Sequence, residues 1–304
     1  MSIRLHLSVL LALLTAATSL FPSSAKASAG KGGATKASEK AKITATVSQP
    51  SIAELQARRD SLKEKLFQEL LEKTKEYISE KEGYVDHPYL DTNGLIHIGY
   101  GTNVNNKDVF KALDLKNSKV VSLSEKEKEA VYNALLALAP EQKNLSTKEK
   151  HSASHYKQFA PCTLSKDNCD QLLEGDINKA FLSIRSHHGD GVLFGLSLSA
   201  QIAWGDMVYQ RPIAVTECVK FNNAAKERNY DKMRQECTFK NPELKSRNEA
   251  RQALLEKAKT EKPSTTFMEF RQAAIDLAQA KEYQRAEAKR AALEKAAKDK
   301  AAGI

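Results

Sequence analysis

From Ser51 onward apolar residues recur at helical spacing: Leu62, Leu66, Leu70 and Ile78 fall on one stripe running to about Lys81, with Ser51 and Glu54 at capping-box spacing. The stripe predicts one long helix with room for a single break. Between residues 84 and 100 the period changes to short strands around Asp91-Thr92-Asn93-Gly94, where Asn and Gly supply the positive φ angles of a tight hairpin. Helical periodicity returns at Ser124, capped by Glu127, and at Ser165, which leads into Leu172, Leu173, Ile177, Phe181 and Ile184. The polar stretch 140–163 between them predicts a loop, and further helices are expected over 199–209, 213–226, 230–237 and 242–259. Pro263 ends that pattern, and Thr266 with Glu269 predicts the cap of a last helix to about Lys300, whose apolar stripe fades after Leu277. That helix reads either as a solvated element docked by its first half or as a cationic arm. No internal repeat is visible, and the pattern predicts an α+β, mostly α, protein with its main domain over 51–262 and a charged terminal helix over 263–304.

Composition changes the picture at the N-terminus. A basic start ending at Arg4, an apolar run from Leu5 to Leu20 and the small-x-small site Ala25-Lys26-Ala27 predict a cleavable export signal over 1–27. An uncleaved anchor is the alternative, although the run is short for a span. Residues 28–50 carry almost no large apolar side chain to offset the entropy of ordering, and they predict a disordered linker. No later segment is long and apolar enough to span a bilayer, so no stable membrane insertion is expected after cleavage. Export implies a periplasmic or secreted protein.

In that setting the four cysteines predict two disulfides among three possible pairings. Cys218 and Cys237 lie in consecutive helical patterns split by Asn229, so an antiparallel hairpin would join them and leave Cys162 for Cys169. Buried free thiols are the alternative. The cysteine spacing does not support zinc, and neither metal nor cofactor is expected. The net charge of +9 suits an anionic partner, for which export favours peptidoglycan over nucleic acid.

Candidate chemistry concentrates in Glu82-Gly83, Tyr89-Leu90-Asp91-Thr92-Asn93-Gly94 and His97-Ile98-Gly99-Tyr100-Gly101. Glu82 closes a helix and Asp91 opens the following turn, so a short connection sets two carboxylates on either side of one groove. Glycosidic cleavage needs that arrangement: a protonated acid for the leaving oxygen and an ionised carboxylate across the sugar. The negative end of a helix dipole disfavours ionised Glu82, whereas backbone N–H bonds at a turn favour ionised Asp91. With Ile96 and Ile98 facing one way, His97 faces the groove.

This segment resembles the catalytic signature of phage-type lysozymes, glycoside hydrolase family twenty-four. Leu164-Ser165-Lys166-Asp167 is similar to the start of that family's lobe-connecting helix, Asp206-Met207-Val208-Tyr209-Gln210 to its cleft-lining helix, and Leu244-x-x-Arg247-x-x-Ala250 to its terminal motif. The resemblance runs from about Leu66 to Lys259 and implies a two-lobed fold with a small β-hairpin lobe, a helical lobe and extra helices at both ends. It implies a monomeric muramidase that cleaves the β-1,4 bond after N-acetylmuramic acid in peptidoglycan glycan strands. By position it makes Glu82 the general acid, Asp91 the carboxylate that places water or stabilises positive charge, Arg247 a cationic neighbour of Glu82, and Gln210 a sugar contact; Arg247 and Gln210 count together as substrate-binding candidates. Family members usually carry Thr where this chain has His97. The imidazole can act as base, act as nucleophile with retention, or block the water, and it can also lie turned to solvent. Residues 140–163 form an insertion that could gate the cleft. A non-catalytic peptidoglycan binder and a secreted antibacterial effector of the same fold are the rival functions.

Overall fold

The capping box at Ser51 forms as its spacing predicts: Ser51 Oγ accepts from the Glu54 amide at 3.2 Å while the Glu54 carboxylate accepts from the Ser51 amide at 2.7 Å. It starts α1 (Ile52–Glu82), which runs as a single 31-residue helix to Gly83. This computed structural model describes residues 50–301 apart from 147 and 242–243. The expected export signal, and the linker except for Pro50, lie outside the described residues.

After Gly83 the chain enters an antiparallel sheet in the order β1 (Val85–Leu90), β2 (Ile96–Gly99), β3 (Thr102–Asn103), one strand more than the expected hairpin. Tyr89 pairs with His97 and Leu90 with Ile96 in the β1–β2 register, and an irregularity separates that stretch from the Val85–Gly99 pair. Gly94 turns the hairpin at φ +76°, and a Cβ there would stand 2.6 Å from the Ala139 carbonyl oxygen, so the turn is pressed against the helix behind it.

A short helix α2 (Lys107–Ala112), capped by Asn106 and not visible as periodicity, leads to α3 (Glu125–Asn144) with its capping box at Ser124. Here the expected loop begins too early: α3 runs through Pro140 to Asn144, and a 3-10 turn spans Ala153–Gln158. The proline deletes one donor of the ladder, a loss that falls beside the exposed Leu136 turn, where water can serve the freed carbonyl.

The long helix α4 (Lys166–His188), begun by Ser165, packs against β2, β3 and α1, and so links the sheet to the helices that follow. These are α5 (Asp190–Leu193), α6 (Leu198–Gln210), α7 (Ala214–Glu217), α8 (Val219–Lys226), α9 (Tyr230–Glu236) and α10 (Lys245–Ala258). α6 is buried nearly all round and lies against α1, α4 and α10; Gly205 seats on the Phe181 ring with no room for a side chain. The single helix expected over 213–226 is broken at Cys218, whose φ −80°, ψ +56° is not helical. The final helix α11 (Thr265–Ala301) lies along α1, and its first turn is served by Ser264, whose Oγ accepts from the Phe267 amide at 3.2 Å, not by Thr266. Its last buried residue is Leu277, where the apolar stripe fades.

The two expected disulfides are not formed; all four cysteines are free thiols. Cys169, in the first turn of α4, packs directly on Gly99, Cys218 occupies the non-helical break between α7 and α8, and the Cys237 thiol donates to the Arg234 carbonyl at 3.3 Å. The thiols behave as small apolar groups, and burial pushes Cys162 up to about 12 and Cys237 up to about 11. Among the described residues no helix is long and apolar enough to cross a membrane.

Candidate active site

The end of α1, the β1–β2 turn, the face of α4 and the C-terminal end of α6 enclose an open groove of about 780 Å³. Glu82, Asp91, His97 and Gln210 all line it, with Tyr89 and Tyr209 as its aromatic walls. Asp176, Lys179 and Ser183 of α4 contribute polar groups that periodicity alone had not singled out.

Glu82 is the last helical residue of α1 and its side chain is 27 % exposed. The Arg247 guanidinium meets its carboxylate at 2.6 Å. Burial against the groove walls outweighs that attraction and holds the Glu82 pKa above the ordinary glutamate value, as a group that must carry a proton requires.

Asp91 sits in a different setting. Its Oδ1 accepts from the amides of Asn93 at 2.9 Å and Leu95 at 2.7 Å, and its Oδ2 accepts from the Asn93 side-chain amide at 3.2 Å. Three donors aimed at one carboxylate fix its orientation at the turn. The two acids thus sit in different surroundings on one groove.

His97 projects from β2 on the side opposite the fully buried Ile96 and Ile98, so the strand alternation turns it to the groove. Its Nδ1 lies 2.7 Å from the Gly101 carbonyl oxygen, which can only accept, so Nδ1 carries the proton. Its Nε2 is buried, stands 3.6 Å from Asp91 Oδ2 and makes no hydrogen bond.

Behind Glu82 lies a polar cluster more extensive than the sequence suggested. Arg247 is 7 % exposed and is not among the residues that line the groove; it joins Glu82 to the fully buried Asp206, to which its Nε donates at 2.8 Å. Arg251, also fully buried, donates to Asp206 Oδ2 at 3.0 Å, to Gln210 Oε1 at 2.7 Å and to Asn248. Gln210 therefore reaches the groove with its carbonyl end held from behind. Asp206 and Arg251 were missed as functional support, although an Asp four residues before Gln210 and an Arg four after Arg247 place each pair on one helical face. Among the described residues no group of three or more His, Cys, Asp or Glu side chains could hold a metal ion.

No protein-family model matches the chain, and no curated protein matches it.

Proposed function

We propose that this protein is a glycan hydrolase, a muramidase of the phage-type lysozyme kind with a two-lobed fold, cleaving the β-1,4 bond after N-acetylmuramic acid in peptidoglycan. The observation that carries the reading is the pair of dissimilar carboxylates on one groove: Glu82, desolvated and raised, and Asp91, held by three donors. In the proposed reaction Glu82 gives its proton to the leaving glycosidic oxygen as the C–O bond breaks. Positive charge building on the sugar ring is stabilised by Asp91. Water then adds to the anomeric carbon, and its proton passes to a base on the far face, a role for which His97, whose Nε2 stands 3.6 Å from Asp91 Oδ2, is the candidate once the ring turns toward the sugar. Arg247 and Asp206 act from behind, fixing the Glu82 carboxylate without touching the sugar. The proposal includes export to the periplasm or beyond, a monomeric state and no cofactor; the peptidoglycan substrate rests on the family resemblance, since the groove itself argues only for a glycan.

A second reading, a peptidoglycan binder without turnover, is favoured by one feature: the imidazole stands beside Asp91, in the space where an attacking water would sit. Mass spectrometry of peptidoglycan digested by the wild type and by Glu82→Gln separates the two. Muropeptides ending in reducing N-acetylmuramic acid, absent with the variant, support the enzyme. Adsorption of the wild type to cell walls without any release supports the binder.

A further inference from the structure

The segment between α3 and α4, expected as a possible gate, is tied down at several points. His87 Nε2 lies 2.9 Å from the Ala153 carbonyl oxygen, the Leu164 amide donates to the Asp86 carbonyl at 2.8 Å, and the buried Gln142 exchanges two bonds with the main chain of His151. Next to that exchange sits the half-buried Lys150. Its ammonium donates to three main-chain carbonyls at once: Thr92 at 2.6 Å, Gln142 at 2.6 Å and Lys143 at 2.9 Å.

Two of these acceptors are open carbonyls in the last turn of α3, where a cation also complements the helix dipole. The third, Thr92, belongs to the turn that begins with Asp91, and capping α3 does not require it. The same turn is pressed on α3 at Gly94, beside Ala139. An ammonium has three donors, and here each is committed, so its position is fixed by the turn and the end of α3 together.

We infer that Lys150 is a positioning residue for Asp91: it clamps the 91–94 turn to α3, and residues 148–163 brace the groove instead of gating it. For its activity arm the inference rests on the glycan-cleaving reading above. Misplacing a catalytic carboxylate by about 1 Å costs on the order of a hundredfold in rate, so the clamp acts on turnover more than on binding.

The test is Lys150→Met in the full chain, with Lys150→Arg beside it. The Leu95 amide, which donates to Asp91 Oδ1 at 2.7 Å, reports the turn directly by hydrogen exchange. In Lys150→Met that amide is expected to exchange roughly tenfold faster or more, with kcat lowered roughly tenfold to a hundredfold and KM within about twofold of the wild type. Lys150→Arg should restore most of both. If Lys150→Met does not fold, Lys150→Gln, which keeps donors without the charge, is measured in its place with the same expectations. Lowered Tm with wild-type Leu95 exchange reduces Lys150 to a helix cap and overturns the inference, as does faster exchange with unchanged kcat. If the wild type cleaves no cell wall, the glycan reading fails, and Leu95 exchange alone decides whether the clamp exists.

Discussion

At the scale of single residues, Glu82 carries two linked expectations. Removing its proton while keeping its shape, in Glu82→Gln, should lower activity by at least about a hundredfold, the usual worth of general acid catalysis. Its stability effect has a definite sign. Burial raises the folded-state pKa above the unfolded value, so the stability associated with the protonated group is fully present below the ordinary glutamate value and is lost as pH rises through the raised one. Wild type and Glu82→Gln should therefore have similar Tm values near about pH 4, and the variant should gain on the wild type toward about pH 8. A variant that is less stable at the higher pH means that attraction to Arg247, not burial, dominates at this site. His97 is the second residue to probe. Its Nδ1 is held by the Gly101 carbonyl, and the anomer first released from a muropeptide, followed by NMR, tests whether the ring acts as base or as nucleophile. Retained product that turns to inverted in His97→Thr identifies the nucleophile. Inverted product from both proteins, with the variant slower, identifies the base, and equal rates make His97 a bystander.

At the scale of elements, α6 and α10 meet through charge as well as packing. Asp206 is fully buried between Arg247 and Arg251, and Asp206→Ala leaves two guanidinium groups in the interior with their main counter-charge gone. Breaking a buried pair in this way costs about 3–5 kcal/mol, to be measured by denaturant unfolding; a loss below about 1 kcal/mol, the value of a surface pair, would show that Glu82 and water take over the arginines. This network also marks what the sequence could and could not disclose. The capping boxes at Ser51 and Ser124 and the Asn-Gly turn are local and formed as read, because their partners lie within four residues. The placement of Glu82, Asp91 and His97 on one groove was also readable, since helix end, turn and strand follow one another directly. By contrast, the Asp206–Arg251 bond spans 45 positions and leaves no periodic trace, and the Lys150–Thr92 bond spans 58. The disulfide expectation assumed an unbroken helix at Cys218, where the backbone leaves helical geometry.

For the whole molecule the open matter is what α11 contributes, and its two halves should behave differently. The first half is part of the core boundary: Phe270 meets Phe194 edge to face at 6.1 Å between ring centroids, Phe267 packs against the core, and Ala273 and Leu277 are buried. Beyond Ala280 every residue to Asp299 is exposed, and the segment 281–304 holds seven Lys or Arg against four Asp or Glu, a net of +3 out of the chain's +9. A chain ending at residue 280 should therefore keep its Tm within about 2 °C, as surface changes of less than about 0.5 kcal/mol do. One ending at residue 262 should lose several kcal/mol, because each large apolar side chain it removes or uncovers is worth about 1.5–3 kcal/mol. Function should separate in the other direction. If the free half is only a solvated helix, the chain ending at 280 binds and digests cell walls as the full chain does at all salt concentrations. If it is a cationic arm, adsorption to isolated walls weakens at low ionic strength, the difference disappears by about 0.5 M salt as screening shortens the reach of surface charge, and turnover of short soluble muropeptides is unchanged. The exposed helix has no apolar stripe to hold a folded partner, and its internal Arg290–Glu294 pair leaves most of its cations facing water. The salt-dependent loss is the outcome expected, since a charge excess carried some tens of ångströms past the last buried contact can act on an anionic polymer only through long-range attraction.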